Sequence, residues 1–184
     1  MQRNGFTLIE LIVTLGLTGI LITTAVPPLT SLWQKQTVIS QIHILNKTLN
    51  KARRLAVISN EITVTCTLTA AMTCANELSN QMDVFIDKNQ NRALDPGEAR
   101  LQHIEIDPSL ELKPRLSAGR AYITFNPTGT TNGTFGSLQL CQPNYNPENQ
   151  RAIIITRTGR IRLSQDSNQD GVHETGSGPI CQSS

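Results

Sequence analysis

"MQRNGFTLIELIVTLGLTGI", residues 1–20, starts polar and runs into apolar sequence that continues to Val26. The 21 residues from Phe6 to Val26 carry a single formal charge, Glu10. At helical rise they measure about 30 Å, the thickness of a bilayer's hydrocarbon core, so the run reads as a transmembrane helix. A bare carboxylate at membrane depth costs about 2–3 kcal/mol or more, so Glu10 needs a partner or a proton there. A secretory signal would put a small-residue cleavage site after a shorter apolar run. Here the run leads instead into Pro27-Pro28 and an amphipathic stretch, and the processing point that suits the residues is the polar pentapeptide ending at Gly5. Arg3 in that leader fits a cytoplasmic N-terminus.

Gly5 followed by Phe6-Thr7-Leu8-Ile9-Glu10 resembles the class III leader of type IV pilins and type II secretion pseudopilins. The resemblance implies that a prepilin peptidase cuts after Gly5 and methylates the new N-terminal Phe6. It gives Glu10 the freed amine of a neighbouring subunit's Phe6 as partner during filament assembly. It also makes Pro27 a helix-kinking proline and anchors the protein by a single pass in the inner membrane, with its C-terminal part in the periplasm. The implied organisation is a leader over 1–5, a transmembrane helix over 6–26, its amphipathic continuation over 27–60, and a β-rich domain over 61–184. The fold class is α+β and pilin-like, a long N-terminal helix packed on an antiparallel β-sheet.

Beyond the prolines, Ile42, Leu45, Leu49, Ala52 and Leu55 or Ala56 recur at three and four residues, the stripe of a helix that packs on a sheet. Gln41, Lys47, Lys51, Arg53 and Arg54 fill the other positions. Basic residues on the outer face of such a helix are expected to be solvated rather than to form a nucleic-acid patch. The stretch "KARRLAVISNEITVTC", residues 51–66, resembles the FimT/GspH group of minor pilins and pseudopilins in its Ala-Arg pair, later alanine and strand ending in cysteine. Strands are expected over 62–68, 82–86, 100–106, 121–125, 137–141, 151–156 and 160–163, with "NPTGTTNG" and "TRTG" as turns.

Cys66, Cys74, Cys141 and Cys181 permit three pairings. An extracytoplasmic domain keeps disulfides, and Cys66 with Cys74 and Cys141 with Cys181 is the expected pairing. Zinc is disfavoured, because no close C-x-x-C pair exists and His43, His103 and His173 are scattered. In "DKNQNRALDPGE", Asp87, Asn89, Asn91, Asp95 and Glu98 stand at calcium-loop positions, with Arg92 where that motif uses glycine. In "DSNQDGVHE", Asp166, Asn168, Asp170 and Gly171 are likewise spaced, but Ser177 replaces the closing glutamate. Asp-Asn-Gly loops commonly bond to their own backbone, so ordinary turns are expected and calcium is the alternative.

Charge is uneven: from Glu77 to Glu111 acids outnumber bases, whereas from Leu112 to Leu163 Glu148 is the lone acid. Within that basic half, "RAIIITRTGRIRL" places Arg160 and Arg162 two apart on a strand, so both leave one face about 7 Å apart. Two neighbouring guanidiniums need solvent, carboxylates or an external anion. Backbone phosphates of double-stranded DNA would satisfy them by bidentate, sequence-independent bonds. Arg157, Lys113, Arg115, Arg120 and Arg151 extend the patch if folding gathers them. The competing reading pairs the arginines with Asp166, Asp170 or Glu174.

The stretch also resembles the Gly-Arg-any-Arg signature of FimT-type minor pilins, whose arginines, carried onto Arg160 and Arg162, contribute to DNA binding during natural transformation. The alternative is a GspH-type pseudopilin acting structurally among other pseudopilins in type II secretion. The chain carries no phosphate loop, dinucleotide fingerprint or nucleophile elbow, so an enzyme is not expected.

Overall fold

The computed structural model describes residues 7–143, 147–176 and 178–181, with the side chains of 23–28, 178 and 179 left out of the description. The leader and the Gly5–Phe6 junction therefore lie outside the described residues. The chain divides into two compact units, Met1–Gln36 and Thr37–Ser184.

Helix α1 runs from Leu8 to Ser59. In the first unit the described large apolar side chains are exposed, among them Leu8, Ile9, Ile12, Leu15 and Trp33. Thr14 and Thr18 donate their hydroxyls to the carbonyls of Leu11 and Thr14, leaving these polar groups satisfied within the helix. Among the described residues, no helix is long and apolar enough to cross a membrane. The described side chains of the apolar run stop at Ile22, and from Leu8 that is about 22 Å of helix, short of the roughly 30 Å needed. The transmembrane reading of 6–26 is thus not carried by the described part of the helix, which also contains Glu10.

In the second unit α1 buries Val38, Ile42, Leu45, Leu49, Ala52 and Ala56, a stripe stepping by four and three residues. Ala56 rather than Leu55 completes it, because Leu55 is only partly covered. Two four-stranded antiparallel sheets surround this stripe, where the sequence pointed to one. The first has β1 (Thr63–Cys66), β2 (Gln81–Ile86), β3 (Arg100–Glu105) and β5 (Tyr122–Phe125) in the order β3-β2-β1-β5. The second has β4 (Glu111–Leu116), β6 (Gly136–Cys141), β7 (Arg151–Ile155) and β8 (Ile161–Leu163) in the order β4-β6-β7-β8. Two residues each, β9 (Glu174–Thr175) and β10 (Gly178–Pro179), make a short ribbon.

The helix stripe, Met82, Val84, Ile123 and Phe125 of the first sheet, and Leu138, Leu140, Ile153 and Ile155 of the second form one apolar core. Thr63 Oγ1 donates to the Ala52 carbonyl and Gln102 Nε2 to Thr48 Oγ1, fastening the first sheet to the helix. Among the described residues this core begins at Val38 and lies within Thr37–Ser184, and a unit with its own hydrophobic core can fold alone. The other face of the first sheet carries a smaller cluster of Val64, Cys66 and Phe85 beneath Leu68, Cys74 and Leu94. Disulfides join Cys66 to Cys74 and Cys141 to Cys181. The second holds the tail against the outer face of the second sheet, where Ile180 and Cys181 pack on Ala152 and Cys181 N donates to Gln139 Oε1.

Candidate functional site

The β7–β8 hairpin turns at Thr156-Arg157-Thr158-Gly159, closed by Gly159 N donating to the Thr156 carbonyl and Thr156 N to that of Arg160. Arg160 and Arg162 follow, both exposed, while Ile161 and Leu163 pack against the core. Alternation along the strand accounts for this division. Among the described residues neither arginine forms an ion pair. Arg157 is exposed as well, and its guanidinium lies 4.3 Å over the Phe135 ring.

The turn is held by a second loop. Thr131 N and Thr131 Oγ1 both donate to the Arg157 carbonyl, at 3.2 and 3.1 Å. Gly159 has φ +76°, and a Cβ there would stand 1.9 Å from the Gly129 oxygen. Glycine is therefore demanded at this position by both backbone conformation and close approach. Arg53 Nε donates to the same Gly129 oxygen at 2.7 Å. The expectation that Arg53 is simply solvated is thus corrected: it is partly buried and hydrogen-bonded to a loop 76 residues away. Arg54 does remain exposed.

The remaining basic residues separate into those that share this face and those that do not. Register aligns Arg115, Ser137, Ile154 and Arg162 across the second sheet, which puts Arg115 on the Arg162 face. Three strand spacings, about 14 Å, lie between them. Lys113, also on that face of β4, is 3.2 Å from Glu111. Arg120 Nη1 donates to the Gly133 carbonyl. Arg151 points to the opposite face, gives Nη1 to the carbonyls of Glu148 and Gln150, and has its pKa lowered by burial. Arg151 therefore does not extend the patch.

The acids that the competing reading would pair with Arg160 and Arg162 are turned toward their own loop. Asp166 Oδ2 accepts from Gly171 N, Asp170 Oδ2 from the Asn168 amide and Glu174 Oε2 from Ser167 N. Oxygens of the three carboxylates lie within 4.8 Å of one another.

At the earlier acidic loop, buried Asp87 accepts from the backbone N–H of Asn91 and Arg92. Asp95 Oδ2 accepts from the amides of Asn89 and Asn91, which lowers its pKa, the Asn89 bond contributing most. Glu98 takes the N–H of Lys88 and Asp95. These carboxylates accept hydrogen bonds from within the loop. Arg92 adopts φ +60°, so the departure from glycine does not prevent the sharp turn. The loop also bonds to the Cys66–Cys74 segment, through Cys74 N to the Arg92 carbonyl and Leu94 N to that of Met72, and so covers the smaller apolar cluster.

The family model described as type II transport protein GspH matches residues 42–159 of this fold, and that of the prokaryotic N-terminal methylation motif matches residues 1–26. The chain belongs to the GspH family. In the terms of that family it is a minor pilin or pseudopilin, a class of structural rather than enzymatic proteins. The GspH match ends at Gly159, so Arg160 and Arg162 lie just beyond it.

The type IV minor pilin FimU of Pseudomonas aeruginosa, in its P65 crystal form, is 21% identical with a TM-score of 0.53, over 68% of this chain and 91% of FimU. Its P21 form is also 21% identical with a TM-score of 0.54, over 70% and 88%. That likeness shows the shared α+β fold of this GspH-family chain. The minor pseudopilin EpsH of the Vibrio cholerae type 2 secretion system is 14% identical with a TM-score of 0.45, over 68% and 93%. No curated protein matches the chain in sequence.

Proposed function

We propose that this chain is a FimT-like minor pilin of a type IV pilus that binds double-stranded DNA without sequence preference for uptake in natural transformation. One observation carries the reading: Arg160 and Arg162 are exposed on one side of a braced hairpin and pair with no acid among the described residues. Such guanidiniums are ready to take phosphate oxygens, and exposed Arg157 beside them adds a third charge. Arg115 and Lys113 are secondary contacts at the far edge of the same sheet.

The N-terminal unit supports incorporation into a filament. Its exposed apolar side chains need a cover, which lipid of the inner membrane supplies before assembly and neighbouring pilins after it. Prepilin peptidase cuts at Gly5 and methylates Phe6, and Glu10 then pairs with the Phe6 amine of a neighbour. The methylation-motif match over residues 1–26 supports this processing.

The test is a gel-shift titration of fragment 34–184 against duplexes of unrelated sequence at several salt concentrations. Binding is expected to weaken steeply with salt. Replacing Arg160 and Arg162 by glutamine is expected to weaken it uniformly across sequences and flatten the salt dependence. Equal binding by the double variant removes the site.

The match to the type II transport protein GspH favours a second reading, a structural pseudopilin of a secretion system. It predicts negligible DNA binding, and loss of protein export rather than of transformation when the chain is deleted.

A further inference from the structure

Three segments distant in sequence meet at one carbonyl oxygen, that of Gly129. Arg53 of α1 donates its Nε to it at 2.7 Å, and Gly159 of the β7–β8 turn approaches so closely that a Cβ would stand 1.9 Å away. The same imagined Cβ would be 3.1 Å from Arg53 Nε, so the guanidinium lies beside the turn as well as the loop. On the other side of the loop, a Cβ on Gly129 would meet Val57 Cγ2 at 3.2 Å and Arg53 Nε at 3.4 Å. The loop is thus seated on the helix and the turn on the loop, with Arg53 at the junction.

Arg160 is the next residue after Gly159. A charge-assisted bond from a partly buried guanidinium is among the stronger polar contacts available to a surface loop. Its planar, pre-organised fork loses less freedom on bonding than a lysine ammonium would. We infer that Arg53 is a positioning residue: through Gly129 and Gly159 it fixes the hairpin turn, and so presents Arg160, already ordered, to a phosphate backbone. This inference rests on the DNA-binding reading above. Pre-organisation raises affinity because binding no longer carries the cost of ordering the turn. Arg53 acts through Arg160 and does not itself take a phosphate.

The experiment compares fragment 34–184 carrying R53Q, R53K, R160Q, G159A and the R53Q/R160Q pair. Each is measured for thermal midpoint, duplex DNA affinity and amide hydrogen exchange. R53Q is expected to lose about tenfold in affinity, a charged hydrogen bond's worth, while R53Q/R160Q binds no more weakly than R160Q alone. That failure of additivity is what a residue acting through another produces. R53K is expected to stay weak despite its charge. G159A, which forces the turn off Gly129 without removing any charge, is expected to copy R53Q. The Gly129, Thr131, Gly159 and Arg160 amides are expected to exchange faster in R53Q, with the core amides unchanged.

Additive losses in R53Q/R160Q, full binding by R53K, or wild-type binding by G159A would overturn the inference. Should R53Q fail to fold, G159A and R53K decide it. Should the R160Q/R162Q variant bind DNA as the wild type does, the DNA-binding reading falls separately, and exchange at the four amides still decides whether Arg53 holds the turn.

Discussion

Asp83 is 4% exposed in β2, with His103 Nδ1 at 2.9 Å and Arg100 Nε at 3.5 Å from its Oδ1. The hydrogen bond to Asp83 chiefly raises the His103 pKa above its ordinary value near 6.5, and Glu105 beside Nε2 adds to it. A raised folded-state pKa means that protonated His103 contributes stability fully below about pH 6.5, and that this is lost as pH rises through the raised value. The imidazole is 39% exposed, so solvent screening keeps the effect small. His103→Gln should flatten the fall in urea midpoint as pH rises above 6.5; an unchanged slope would show that the pair is not coupled to folding. Gly159→Ala belongs to the same order of detail. Its Cβ must displace the Gly129 carbonyl at φ +76°, so a loss of about 1–3 kcal/mol in urea unfolding is expected. Neither contact was legible in the sequence, because Asp83 and His103, like Gly129 and Gly159, meet only once strands or loops far apart in the chain are aligned.

Helix α1 was the most legible element, since the stripe from Ile42 to Ala56 is written in the order of residues and requires only the helical repeat. Leu49 is fully buried in that stripe, and Leu49→Ala should cost about 2–5 kcal/mol by calorimetry, against less than about 0.5 for exposed Lys47→Ala. Strand β4 was not legible. Pro114 interrupts "ELKPRL" with a residue that cannot donate to a ladder, and such strands survive at sheet edges, which is where β4 lies. Missing it merged two sheets into one, and left Lys113 and Arg115 without an address relative to Arg162. The arginine hairpin itself was visible in the alternation of "GRIRL", whereas Arg53 looked solvated because its acceptor lies 76 residues away. The two disulfides close unequal lengths of chain, with separations of 8 and 40. Loop-entropy reasoning assigns about 2.6 kcal/mol to the shorter and about 4 to the longer. Paired serine variants at Cys141 and Cys181 should therefore lower the urea midpoint more than those at Cys66 and Cys74; the reverse order would mean that reduced-state structure, not loop length, dominates.

The whole chain combines a unit with a closed core and a unit that leaves its apolar surface bare, and the boundary near Gln36 lets the two be perturbed separately. Glu10 sits in the first turn of α1 among exposed Leu8, Ile9, Leu11 and Ile12, far in sequence from Val38, where the core begins. Substituting it should leave the unfolding transition of residues 37–184 unchanged, because among the described residues no core residue lies before Val38. If its charge meets the Phe6 amine of a neighbour, removing the charge matters as much as removing the side chain, so Glu10→Gln and Glu10→Ala should both abolish incorporation into filaments. Glutamine keeps the size and hydrogen-bonding capacity of the side chain, which separates ion pairing from packing. The measurement is the amount of each variant in sheared filaments relative to the amount in the membrane fraction. Normal incorporation of Glu10→Gln alongside failure of Glu10→Ala would replace ion pairing with shape. Normal incorporation of both would mean that the apolar surface alone drives assembly.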